Sequence, residues 1–153
     1  METLSVKQKN EQAAFRRFTE RLGTDNEWID ISSRPEPEPD LLCINSAGEA
    51  IAFELVSLTD PNIAKVQAAG AKAFQNAFST SDPSERIIRK KLHSSYKTNV
   101  RHIELLIYTD GQIITTDDGI IPTVLPWFDA IIHPFKRVWF MGEFETRSLW
   151  NAS

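Results

Sequence analysis

Asp40 and Glu54 are the residues from which chemistry is most readily built in this chain. Asp40 follows a segment in which Pro35, Pro37 and Pro39 alternate with Glu36 and Glu38, and it opens the apolar run Asp-Leu-Leu-Cys-Ile. Glu54 stands inside a second run, Ala-Ile-Ala-Phe-Glu-Leu-Val-Ser-Leu, where a carboxylate is out of place. Side chains alternate along a strand, so Glu54 shares a face with Ala50, Ala52 and Val56, while Ile51, Phe53 and Leu55 point the other way. A buried carboxylate without a partner is costly and tends to protonate. A cation or a metal ion keeps it charged; an edge position, where Glu54 reaches solvent or pairs with a lysine, is the plainer solution. The neighbouring alanines leave room beside it. Residues 45–49, with Gly48, read as a turn, which makes the two strands adjacent and antiparallel. That pairing brings Asp40 towards the part of the strand that holds Glu54. Two converging carboxylates suit a hard cation: Mg2+ takes one or two protein carboxylates and keeps several waters.

The elements that must hold these acids show as patterns. Residues 7–22 carry Ala14, Phe15, Phe18 and Leu22 at helical spacing, and Gly23 is a natural stop. Residues 27–33 alternate Trp28 and Asp30 against Ile29 and Ile31, as a strand does. The prolines make the next link extended and remove backbone donors. Residues 40–44 and 50–58 are strands, the second apolar on both faces, as when a sheet is covered on both sides. A helix is expected over 59–78, capped by Thr59 or Asp60, with Pro61 in its first turn. A further helix is expected over 84–97, a buried strand over 102–111, a short helix over 124–133 with Pro126 near its start, and a last strand over 135–144. The order predicts an α/β or α+β fold with one mixed central sheet flanked by helices.

The 153 residues suffice for one domain, spanning 1–153, with a core of its own. A net charge of −4 excludes a chain that coats nucleic acid through overall basicity, although a local basic face is enough for binding. The lone Cys43 cannot form an internal disulfide; it reads as a small core hydrophobe and fits a reducing compartment. With no signal-peptide pattern and no membrane-length apolar window, the expected location is cytoplasmic. His93, His102 and His133 lack zinc-ligand spacing, and neither a GxxxxGK loop nor a GxSxG elbow is present.

Pro39-Asp40, followed across a turn by Glu54-Leu55-Val56, resembles the motif of the PD-(D/E)XK nuclease superfamily, and the element order is similar to its α-β-β-β-α-β core. The resemblance covers most of the chain, from the first helix to about Tyr108. It implies a restriction-endonuclease-like fold with C-terminal additions. The chain departs from the pattern at Val56, where the superfamily has a lysine. Some branches supply that lysine from a following helix. At 100° per residue, Ile87, Ile88, Leu92 and Tyr96 form one stripe of the helix over 84–97. Lys91 lies inside the stripe's edge, with Lys90 and His93 on the far side. Lys91 is therefore the candidate to reach the sheet, against the alternative that it snorkels from the helix edge.

What the resemblance implies is a Mg2+ (or Mn2+) held by Asp40, Glu54 and the Leu55 carbonyl, with Lys91 in the role of the missing lysine. A first-helix glutamate often completes such a site; Glu11, one turn before Phe15, is preferred over Glu20, the alternative being a solvated helix residue. Arg86, Arg89, Lys90 and Lys97, together with Lys91, His93 and Arg101, crowd one region and are candidates to track a phosphate backbone, or else form a solvated helix face. Trp127, Phe128, Trp139, Phe140 and Trp150 could stack bases, but their spacing fits core packing better. The expected function is a metal-dependent nuclease acting on nucleic acid, DNA first, with a homodimer suggested by the need to cut two strands. The alternative is a catalytically inactive nuclease-like module that binds nucleic acid or protein, and a third reading is a structural protein with an ion-paired Glu54.

Overall fold

The computed structural model of the chain describes residues 3–59, 83–111, 113 and 115–152. The helix expected over 59–78 falls, save for Thr59, outside them. The first helix, α1 (Val6–Leu22), starts at a capping box in which Ser5 and Gln8 each satisfy the other's backbone N–H. It ends where Gly23 turns left-handed at φ 74°, a conformation glycine adopts without a steric penalty. The strands β1 (Trp28–Ser33), β2 (Leu41–Asn45) and β3 (Ala50–Leu58) form an antiparallel meander. Helix α2 (Ser84–Leu92) precedes β4 (Ile103–Thr109). The helices α3 (Asp117–Val124) and α4 (Trp127–Ala130) precede β5 (Arg137–Met141) and β6 (Thr146–Asn151).

The protein is an α/β structure with a six-stranded mixed sheet in the order β1-β2-β3-β4-β5-β6. β3, β4 and β5 run parallel, and the outer pairs are antiparallel. Parallel neighbours need crossovers; α2 lies in one and α3 and α4 in the other. Alternation along β3 and β4 feeds two apolar layers. Phe53, Leu55, Leu106 and Tyr108 pack under Ala14, Phe15 and Phe18 of α1, together with Cys43. Ala52, Val56, Leu105 and Ile107 pack under Ile88 and Leu92 of α2 and Ile120, Val124 and Phe128 of the later helices. Both faces of β3 are covered, as its unbroken apolar run implied.

Several expectations need correction. The helix over 84–97 stops at Leu92, because the following stretch is drawn to the proline segment, where Lys97 N–H donates to the Pro37 carbonyl at 3.0 Å. Tyr96 still packs on that core from outside the helix. In β1 the pairing shifts register between Trp28 and Asp30, so Trp28 and Ile31 face the core together and Ile29 is exposed. Helix α3 was not anticipated, since Gly119 and Pro122 lie inside it. Nor was β6, a polar edge strand held by its pairing with β5. The room expected beside Glu54 is absent at Ala52, which is packed within the core.

Candidate functional site

The site begins with an interrupted ladder. Leu41 pairs with Phe53, which sets Asp40 opposite Glu54. The same register would set Pro39 opposite Leu55, and proline has no N–H to donate. Pairing therefore ends, and side chains take over the backbone groups left behind. Asp40 Oδ2 accepts from Leu55 N–H at 2.9 Å, and Glu54 Oε1 accepts from Asp40 N–H at 3.0 Å. The two acids are thus locked together by reciprocal bonds. The N–H and C=O of one residue in such a strand project to the same edge, so the Leu55 carbonyl shares this end of the hairpin.

Lys91 reaches across from α2, its Nζ 2.8 Å from Glu54 Oε2. The opposite layer supplies Glu11, buried on α1 and 3.9 Å from the exposed Lys7. Asp40, Glu54 and Glu11 are only 9%, 6% and 6% exposed. Burial pushes the pKa of all three carboxyls up, and the charge of Asp40 adds to the effect on Glu54, as that of Glu11 does on Asp40. Lys91 opposes the rise at Glu54 by its hydrogen bond and its charge. Glu20 is exposed.

Among the described residues, the three buried acids outnumber Lys91 and the exposed Lys7, the two lysines in ion-pair contact with them. Such a cluster attracts cations and holds protons that an exposed carboxyl would lose. Among the described residues no group of three or more His, Cys, Asp or Glu side chains forms a metal cage. An ion here would draw on Asp40, Glu54 and the Leu55 carbonyl, with water in its remaining positions, a donor set that fits Mg2+. A groove of about 650 Å3 opens beside Glu11, lined by Lys7, Arg17, Leu55, Ser57 and Tyr108 among others.

Tyr96 is a member of this neighbourhood that sequence reasoning missed. Its hydroxyl is buried beside Glu54 and Ser94 and, among the described residues, meets no partner in good hydrogen-bond geometry. Burial and then the charge of Glu54 keep it protonated well above the ordinary tyrosine range. Its place in the apolar stripe with Ile88 and Leu92 was visible; the aim of its hydroxyl was not. Arg86, Arg89, Lys90 and Lys97 are all exposed. Arg89 already lies 4.3 Å from the centre of the Trp127 ring and 3.5 Å from Glu85. Of the aromatic residues weighed for stacking, Phe128 and Phe140 are buried, while Trp127, Trp139 and Trp150 are half-buried.

Compared with family models, with curated proteins and with solved structures, the chain matches none. Among the described residues no helix is long and apolar enough to cross a membrane.

Proposed function

We propose that the protein is a metal-dependent nuclease of the PD-(D/E)XK type, with a restriction-endonuclease-like core, which hydrolyses phosphodiester bonds in nucleic acid, DNA being the first substrate to test. One observation carries the reading: Asp40 and Glu54 are bonded together at the open end of β2 and β3, and Lys91 arrives from a helix to contact Glu54. Asp40, Glu54 and the Leu55 carbonyl would hold Mg2+ or Mn2+. When bound, such an ion polarises a phosphoryl oxygen and lowers the pKa of its water. Lys91 orients the Glu54 carboxylate and sets a positive charge where a phosphoryl group would gain negative charge. Glu11 faces the same cluster from α1 and adds to its negative potential. The exposed Arg86, Lys90 and Lys97 would contact the phosphate backbone without reading sequence.

Calorimetric titration with Mn2+ tests the first half of this reading. Wild type should bind, and Glu54→Ala should not. Incubation with plasmid and with single-stranded DNA and RNA tests the second half: cleavage should need the metal and should fall at least about a hundredfold in Lys91→Ala, the scale of a lost electrostatic contact to a developing charge. Absence of Mn2+ binding by wild type would sink the proposal. A second reading, a catalytically silent nucleic-acid- or protein-binding module, is favoured by Val56 at the usual lysine position and by the lysine already occupying Glu54 Oε2. Metal binding without cleavage of any of the three substrates would decide for it.

A further inference from the structure

A second cavity, of about 400 Å3, lies at the other end of α1. Phe18 and Leu22 come from the last turns of that helix, Trp28 from β1, Phe53 from β3 and Trp139 from β5; Glu104 of β4 also lines it. Among the described residues the lining includes three carboxylates, Glu27, Glu49 and Glu104, against one cation, Arg137. Glu27 and Glu49 are exposed, whereas Glu104 is 6% exposed and cannot rely on solvent.

Both carboxylate oxygens of Glu104 are held by ring N–H groups. Trp139 Nε1–H donates to Oε1 at 2.5 Å, and His102 Nε2 lies 2.7 Å from Oε2. The indole is a neutral donor, and the His102 side chain is half in solvent. Arg137 stands beside Glu104 on the neighbouring strand but is engaged elsewhere: its Nε donates to Asn151 at 2.5 Å, and its guanidinium lies 5.0 Å from the centre of the Trp139 ring. That contact is an internal example of what these rings attract, since the face of an indole is negative. A buried carboxylate between aromatic walls gains more from an incoming cation than from a neutral guest of the same length.

We propose that this cavity binds a small organic cation, an ammonium or guanidinium on a short apolar chain, whose charged head meets Glu104 while its chain lies along Trp28 and Trp139. The site does not involve Asp40, Glu54 or Lys91, and it stands whether or not the chain cuts nucleic acid.

The test uses the whole 15N-labelled protein and two probes of equal length, n-pentylammonium and 1-pentanol. The readout is the set of indole N–H resonances, because Trp139 N–H points at Glu104 and Trp28 forms a wall. The ammonium should shift the Trp139 signal saturably, at a concentration at least about tenfold below that needed for the alcohol, the scale of one hydrogen bond to a charged group. Glu104→Gln, which keeps the shape and removes the charge, should erase that difference. If Glu104→Gln does not fold, the two probes on wild type decide alone. Equal responses to both probes would reduce the cavity to an apolar pocket, and no saturable shift with the ammonium would remove the site; either result overturns the proposal.

Discussion

Burial is the largest influence on the protonation of Glu11, Asp40 and Glu54, and it acts in the same direction on all three. Their folded-state pKa values lie above those of the unfolded chain, so between the two the native state holds more protons. Stability linked to these groups is therefore fully present below the unfolded carboxyl range and is lost as pH rises through the raised values. Thermal unfolding of the metal-free protein between about pH 4 and pH 8 should show this fall. Millimolar Mg2+ should offset it at the upper end if the site binds the ion, because a ligand of the native state alone stabilises it. Removing the partner instead of the proton has another effect. Lys91→Ala leaves Glu54 without its cation and should lower stability by about 2 kcal/mol in urea unfolding, within the range for a buried charged group that loses its hydrogen bond. The acids and the lysine were all legible as residues. The hydroxyl of Tyr96 was not, because a tyrosine in an apolar stripe looks the same whether its ring or its oxygen matters.

The element that makes the site is the β2–β3 hairpin, and its decisive residue is Pro39. By stopping the ladder at the Leu41–Phe53 pair, it leaves Leu55 N–H to be taken by a carboxylate. This much could be read from the pattern, since prolines, a turn with Gly48 and two apolar runs all point to it. The β5–β6 hairpin was harder to read. Its turn is held by Asp117 of α3, whose carboxylate accepts from the N–H groups of Glu143, Phe144 and Glu145. No local signal in residues 142–151 reveals a partner that lies in another helix. The same carboxylate fills the space beside Gly142, where an added Cβ would collide with it. Gly142→Ala should therefore destabilise the protein by about 2 kcal/mol or more through overpacking. Asp117→Ala, which orphans three amides, should cost about as much or more. Urea titration of both variants checks this, and a neutral Gly142→Ala would show that the hairpin can shift.

Across the whole molecule, α1 is anchored to the sheet by aromatic contacts and carries Glu11 into the acidic cluster. Phe15 lies 4.7 Å from Phe53 and 5.6 Å from Trp28, measured between ring centres. Phe15→Ala should cost about 3–5 kcal/mol, the usual range for a deleted core aromatic. If Glu11 belongs to the site, the same change should also weaken Mn2+ binding, although Phe15 supplies none of the candidate ligands; calorimetry on the folded fraction measures it. The mixed sheet with helices on both faces was legible because strand and helix periods alternate along the chain. The two apolar layers followed from the double-sided run in β3. What stayed hidden was tertiary: a loop that cuts α2 short by bonding to Pro37, a bulge that turns Trp28 inward, and an edge strand with little apolar pattern of its own.

Asp40 and Glu54 are fourteen residues apart, whereas Lys91 follows Glu54 by thirty-seven. On the ribosome both carboxylates therefore emerge well before the ammonium that faces them. Until α2 is made, Glu54 lacks the lysine that faces it and burying its carboxylate is costly, so the apolar layer under α2 closes only after Lys91 has been translated.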